Sequence, residues 1–314
     1  MLLIKAKGGL GNRMLSAVTA IAYAEATKRD WCIDWCDGIY APVGVNAINQ
    51  LFQISKQREL ADISDQDVIR PLVWTGRMDW SVRKIIDCDY PLQHSNPLIY
   101  RKLSAPITST PTAGQTEVFW SYTSKFGRIK RYLSREQRKL GRNKVLGQIL
   151  RNHLIPNVRI TNTADELLGD AGDKTLGVHI RFTDLKVPID KLIAQVAVEV
   201  EKFQYRSIYL ATDSHYAEEL MVSKFANVVT QKRRYSDGNG QLHSARDYNE
   251  KRQDADAALV DMIALSKCKG LLYCSRSTFA ETSRLYGDFD AERLVDIDRY
   301  NWLIQIKKWV QEYL

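Results

Sequence analysis

TLGVHIRFTD, Thr175 to Asp184, is the stretch on which the reading of this chain turns. Leu176 to Ile180 is short, apolar and rich in β-branched residues, the composition of a strand buried in a parallel sheet. It leads into His179, Arg181, Thr183 and Asp184: an imidazole, a guanidinium, a hydroxyl and a carboxylate in close succession. In open α/β sheets ligands lie beyond the carboxyl ends of strands, where these side chains fall. An arginine there suits a phosphate, because its planar fork donates two parallel hydrogen bonds. The alternative is a solvated turn in which Thr183 or Asp184 caps the next helix.

C-terminal to this strand the pattern is regular. Helices are predicted over about 189–204, 215–225, 255–267, 279–286 and 300–313, and strands over 207–211, 227–230, 270–273 and, at an edge, 292–296. Alternating β and α with short strands implies a parallel sheet covered by helices on both faces. Two further strand ends carry polar clusters, Thr212-Asp213-Ser214 and Ser275-Arg276-Ser277-Thr278-Phe279. If the strands are parallel, all three clusters share one rim. Asp213 can accept two ribose hydroxyls or the donor edge of a purine. Ser277 and Thr278 at a helix N-terminus offer hydroxyl and backbone donors to a diphosphate, while Arg181 offsets charge on a departing nucleotide. The competing role of Asp213, Ser214, Ser277 and Thr278 is helix capping.

The N-terminal part opens with a second β-α-β unit. A strand over Leu2–Ala6 runs into Gly8-Gly9-Leu10-Gly11-Asn12-Arg13, a helix to about Lys28 with a mostly apolar stripe, and a strand over Trp31–Trp35. Glycines at such a turn let backbone N–H groups approach an anion at the positive end of the helix. The spacing departs from G-x-G-x-x-G, since Met14 stands where the third glycine belongs. Asp34 keeps a dehydrogenase formally open. Asn12 and Arg13 suit a polyhydroxylated or phosphorylated ligand. Prolines break up 37–115, where Trp74, Trp80, Tyr90 and Tyr100 are either core residues or stacking partners for an acceptor sugar. A helix is predicted over 133–152, and the polar 161–174 segment reads as a domain boundary.

With 314 residues the chain suits two domains. Its 45% hydrophobic and 26% charged content is that of a globular protein, and its net charge of +8 favours anionic partners. Basic residues crowd 125–144, either as a solvated helix face or as a docking patch. Five cysteines without metal-ligand spacing point to a reducing compartment. The expectation is a cytoplasmic protein, working at the inner face of a membrane if at a membrane at all.

The motifs resemble the GDP-fucose fucosyltransferase superfamily. Gly8 to Arg13 looks like its opening turn, and His179-Ile180-Arg181-Phe182-Thr183-Asp184 resembles its H-x-R-x-x-D element, in wording closest to the α-1,6-fucosyltransferases of core N-glycan and nodulation-factor type. Tyr209 to Ser214 and Asp261…Cys268…Cys274 to Phe279 are similar to its later motifs, in order. The resemblance implies a GT-B-like fold, two Rossmann-like domains with a cleft between them. It also implies an inverting, metal-independent transfer of fucose from GDP-fucose to a glycan or peptide hydroxyl. Arg181 would hold the diphosphate with Ser277 and Thr278, and His179 and Asp213 would contact guanosine. Gly9, Gly11, Asn12, Arg13, Ser275 and Phe279 complete the implied donor set. Phe182 departs from the pattern, standing where the α-1,6 enzymes have a second arginine. Counting to their glutamate base gives Ile189, so Asp190 beside it, or Asp184, is the candidate base.

The expected domains are an acceptor-side α/β domain over 1–165, a donor-nucleotide domain over 166–300, and a C-terminal helix over 301–314 packing back on the first. The segment 231–250 reads as a loop able to close over the donor, with Lys232, Arg233 and Arg234 near phosphates. The expected partners are a nucleotide-sugar donor and a glycan acceptor, with no metal and no nucleic acid. Another nucleotide sugar, or binding without catalysis, is the alternative. Asp254-Ala255-Asp256 is read as charge compensation at a helix start rather than as a metal motif.

Overall fold

The computed structural model describes residues 1–63, 68–107, 114–182, 188–232 and 248–313. It divides into two compact units, Met1–Ile155 with Lys307–Leu314, and Pro156–Ile306.

The first unit runs β1 (Leu2–Lys5), α1 (Leu10–Ala26), β2 (Trp31–Asp34), α2 (Ile48–Leu51), β3 (Phe52–Ile54), β4 (Val68–Arg70), α3 (Val82–Asp89), α4 (Pro97–Leu103), β5 (Gln115–Phe119), α5 (Phe126–Ile129), α6 (Arg135–His153) and β6 (Leu154–Pro156). Its main sheet is parallel, in the order β2-β1-β5-β4, and β3 pairs separately with β6. The predicted turn into α1 forms at Gly8, whose φ of +87° a side chain would resist. A Cβ there would also stand 3.1 Å from the Tyr122 ring. Sequence periodicity gives α1 one apolar stripe, yet Leu10 to Ala24 is buried on every side. The reason is tertiary: β1 and β2 cover one face and α5 and α6 another. The helix predicted over 133–152 is interrupted at Gly141 (φ 80°, ψ 170°).

The second unit runs α7 (Val158–Leu168), β7 (Thr175–Ile180), α8 (Ile189–Phe203), β8 (Ser207–Thr212), α9 (His215–Lys224), β9 (Val228–Thr230), α10 (Tyr248–Lys267), β10 (Gly270–Tyr273), α11 (Thr278–Tyr286) and β11 (Leu294–Asp296). The last helix, α12 (Trp302–Tyr313), enters the first unit from Lys307 onward. Its sheet is wholly parallel in the order β11-β10-β7-β8-β9, so the strand read first in the sequence is the central one. All six residues of β7 are buried, Thr175 and His179 included, as befits the central strand of a covered parallel sheet. Gly177 brings α10 close: a Cβ there would stand 3.1 Å from Leu265 and 3.3 Å from Cys268.

Three expectations change. The units part at Ile155/Pro156 instead of 165/166. Much of the 161–174 segment read as a boundary belongs to an amphipathic helix, Val158–Leu168, which buries Ile160, Ala164 and Leu168 and packs on α10. Asp254 and Asp256 lie well inside α10, which starts at Tyr248, and Asp256 pairs with Arg159 at 2.9 Å instead of compensating a helix start.

Candidate active site at a sheet rim

Because β10, β7 and β8 are adjacent and parallel, the three polar clusters leave the sheet on one rim. His179, at the end of β7, lies nearly flat against Phe279 in α11, with ring centroids 5.0 Å apart and planes at 20°. The backbone N–H of Phe182 donates to Asp213 Oδ1 at 2.7 Å, tying the chain leaving β7 to the chain leaving β8. Arg181, between them in sequence, is half-buried. Asp190 is exposed in the first turn of α8. Thr183 and Asp184 lie outside the described residues, as do Arg233 and Arg234 and most of 231–250, while Lys232 is described and exposed.

The capping alternative divides between the clusters. Ser214 does cap α9, accepting from Ala217 N at 3.3 Å, and Thr212 Oγ1 accepts from Ser214 N at 3.2 Å. Ser277 occupies the corresponding position before α11 (φ −82°, ψ 116°) but its hydroxyl makes no capping bond. Ser277 Oγ and Ser275 Oγ are buried, in residues 3% and 6% exposed, and have no hydrogen-bond partner among the described residues. A buried hydroxyl left unbonded costs about 1–3 kcal/mol, so two of them beside a helix N-terminus mark a place that gains from a ligand with acceptor oxygens. Thr278 opens the same helix, half-buried.

Two residues that the sequence reading passed over hold this loop in shape. Asp296 Oδ1, at the end of β11, accepts from Ser275 N (3.1 Å) and Asp298 N (3.0 Å). Asp298 Oδ2 accepts from Arg276 N (3.2 Å) and Nε (3.1 Å). The available signal was the D-x-D spelling at the end of the strand neighbouring β10. Burial, reinforced by Asp298, pushes the Cys274 thiol up to about 12, which leaves it protonated and inert. Among the described residues no group of three or more His, Cys, Asp or Glu is placed to hold a metal ion.

In the first unit the glycine-rich turn is a closed structural device. Arg13 is 0% exposed. Its guanidinium donates to Gly8 O at 2.9 Å and, as a fork, to both oxygens of Asp37 at 3.2 and 2.6 Å, above the rings of Trp35 and Tyr40. The cation that was expected to face a ligand is therefore spent on the turn itself. Asn12 is nearly buried and donates to Tyr122 O at 2.7 Å. Gly11 is buried in the first turn of α1, while Gly9 ahead of it is half-exposed. Asp34 is buried 2.5 Å from Lys5 Nζ, so it is unsuited to the ribose role a dehydrogenase would need. Of the four aromatics, Trp74 is core, its indole donating to Leu103 O, and Trp80 lies under Arg77 and Lys84. Tyr100 stacks on Tyr122 (6.2 Å, 23°), with Lys7 over both rings.

Two parallel Rossmann-like units, one carrying a polar rim, define a two-domain α/β protein of the GT-B-like class. The crystal structure of fucosyltransferase NodZ from Bradyrhizobium is similar with a TM-score of 0.63 at 19% identity, over 95% of this chain and 96% of that one. A structure of NodZ α-1,6-fucosyltransferase soaked with GDP-fucose gives 0.61 at 20%, over 93% and 96%. A mutant of Arabidopsis thaliana FUT1 in complex with GDP gives 0.57 at 14%, over 92% and 69%. At these identities the likeness is one of fold. Nodulation protein Z of Azorhizobium caulinodans is 31% identical over 166 residues, 47% of this chain and 48% of that protein, so the chain spans about half the length of the curated relative it matches. The family model for Nodulation protein Z (NodZ) matches residues 129–309, more than half of the sequence. The chain belongs to the NodZ family.

Proposed function

We propose that this protein is an inverting glycosyltransferase that moves fucose from GDP-fucose to a glycan hydroxyl. The observation that carries the reading is the pair of buried, unbonded hydroxyls, Ser275 and Ser277, at the N-terminus of α11 on the rim that also holds His179 and Asp213. Membership of the NodZ family, and structures of similar fold described with GDP and GDP-fucose, support GDP-fucose as the donor.

In this reading the diphosphate sits at the start of α11, where backbone N–H groups and the Ser277 hydroxyl point at it and the helix dipole favours its charge. Arg181 supplies the positive charge that offsets the departing diphosphate, so the transfer proceeds without a metal. The His179–Phe279 stack and Asp213 form the guanosine side. The acceptor oxygen attacks the anomeric carbon from the face opposite the diphosphate. The bond from that carbon to the diphosphate oxygen breaks, GDP leaves with the electron pair, and the acceptor proton passes to a carboxylate. Asp190 and Asp184 are the candidates. We place the protein in a reducing, cytoplasmic compartment, in keeping with five free thiols.

Phe182 supports a second reading, the same fold with another nucleotide sugar or with binding alone. Its ring packs on the second unit's core and against Tyr216 (5.8 Å), where a second guanidinium would otherwise stand. Calorimetric titration with GDP, GDP-fucose, GDP-mannose and UDP-sugars separates these readings. Tight binding of GDP and GDP-fucose with transfer to a glycan supports the first. Preference for another donor, or binding with neither transfer nor donor hydrolysis, supports the second, and no affinity for any nucleotide refutes both.

A further inference from the structure

Two lysines stand at the end of β1, and only one is matched by an acid. Lys5 is buried against Asp34, as Arg13 is against Asp37 and Arg29 against Glu117. Lys7, half-buried two residues further on, forms no ion pair with a carboxylate among the described residues. Its ammonium donates to His94 O at 2.8 Å and lies over the Tyr100 and Tyr122 rings, 5.2 and 5.8 Å from their centroids. The acid whose charge it feels, Asp87, is engaged by His94 Nε2 at 2.8 Å and faces Arg83 Nε at 3.7 Å. Burial, with Arg83 adding to it and Asp87 opposing, holds Lys7 below its ordinary range. Charges taken out of water are ordinarily paired, so this cation gains from an anion brought to it.

The aromatic residues beside it are held in place by separate contacts. Tyr100 donates its hydroxyl to His94 O and meets Trp120 edge-on, at 4.9 Å and 66°. Tyr122 O accepts from Asn12 at 2.7 Å, and its ring closes on Gly8, where a Cβ would stand 3.1 Å away. Tyr122 is nevertheless 41% exposed. Because β1 and β5 are parallel neighbours, Lys7 and Tyr122 leave the first unit's sheet at its carboxyl rim, where α/β sheets take ligands. A flat aromatic surface next to one ammonium suits a ring with an apolar face and a single carboxylate, which describes a hexuronic acid. A nucleoside diphosphate fits less well, since a point-charge ammonium lacks the fork that takes phosphate oxygens in pairs.

We propose that Lys7, Tyr100 and Tyr122 form a binding site for an acidic sugar, the ammonium pairing with a uronate carboxylate while the pyranose ring lies on Tyr122. The site deepens the glycan-transferase reading, on which it rests only for the sugar's role as acceptor. Its test uses neither donor nor transfer, so the two can fail separately. The whole chain is titrated calorimetrically with trigalacturonate and with its methyl ester, which keeps the rings and removes the charge. Expected is binding of the acid that GDP does not displace, with the ester bound about tenfold more weakly. Lys7→Met keeps the aliphatic stem, lowers affinity for the acid by about tenfold and erases the difference between acid and ester. Tyr122→Ala weakens both by roughly fivefold; should it not fold, Tyr122→Leu takes its place. The proposal is overturned if the wild type binds neither compound, or if Lys7→Met still tells acid from ester. Equal binding of both by the wild type overturns it in favour of a neutral sugar. Displacement of the acid by GDP overturns it in favour of a nucleotide site.

Discussion

The Phe182 N–H donates to the carboxylate of Asp213 at 2.7 Å across neighbouring strands. One oxygen of the residue assigned to guanosine is thus used to set the path of the chain just after Arg181. With the guanosine role proposed for Asp213, position and recognition would be joined in one side chain, and two substitutions separate them. Asp213→Asn keeps an acceptor for Phe182, so unfolding in urea changes little while GDP affinity falls about tenfold or more. Asp213→Ala loses both, with about 1–2 kcal/mol of stability gone as well. Equal stability losses in the two variants would show that the negative charge, and not the acceptor, holds the loop.

Ser214 and Ser277 precede helices in equivalent positions, yet only Ser214 makes a capping bond. Ser214→Ala costs about 1 kcal/mol of stability and leaves nucleotide binding alone. Ser277→Ala removes a hydroxyl that bonds nothing within the described protein, so stability is unchanged or slightly raised. Its GDP-fucose affinity drops by roughly fivefold to tenfold. Urea unfolding and calorimetry on both variants check the opposite pattern; a stability loss for Ser277→Ala would return it to a structural role.

Arg13 and Arg181 sit near strand ends of different units and should fail differently. Arg13→Ala strands the Asp37 carboxylate and opens the turn, destabilising the fold by about 3–5 kcal/mol. Arg13→Lys rescues little, since one ammonium cannot reproduce the fork. Arg181→Ala lowers kcat by about 10²–10³, a loss far larger than any change in its urea midpoint accounts for. If Arg13→Ala instead folds normally and loses only nucleotide affinity, the turn faces a ligand after all.

For the acceptor proton, Asp190→Asn is informative because the side chain is exposed in the first turn of α8. As the base it loses about 10²–10⁴ in kcat, and the acid limb of the pH–rate profile disappears. An unchanged profile passes the role to Asp184.

Burial, with Arg128 and Arg101 adding to it, holds Lys125 down to about 8 against an ordinary 10.5. Between those values the unfolded chain carries more protons than the folded one, so this residue makes stability rise with pH there. Below about pH 8 the cost of burying its charge is fully present. Lys125→Met should be more stable than wild type at pH 7, with the gap narrowing from about pH 8 toward 10.5. A gap independent of pH in urea unfolding would mean that Lys125 titrates normally.

Local pattern sufficed for much of the second unit. A short, mostly apolar run such as Leu176–Ile180, interrupted only by His179, reads as a strand buried on both faces, and β-α alternation with short links points to a parallel sheet. His179, Asp213 and Ser277 then had to share a rim, since side chains at the carboxyl ends of adjacent parallel strands have nowhere else to go. What pattern alone left open was which polar side chains were already spent. Arg13 reads as a ligand-facing cation until Asp37 closes its fork, and Ser214 and Ser277 read alike until one is found bonded and the other is not. Those differences arise between residues distant in sequence, such as Ser275 with Asp296 or Asn12 with Tyr122, and only folding brings such partners within hydrogen-bond reach. The chain's own order of residues therefore determined the strands, the rim and the family's motifs, while tertiary packing decided which groups on that rim remain able to bind something else.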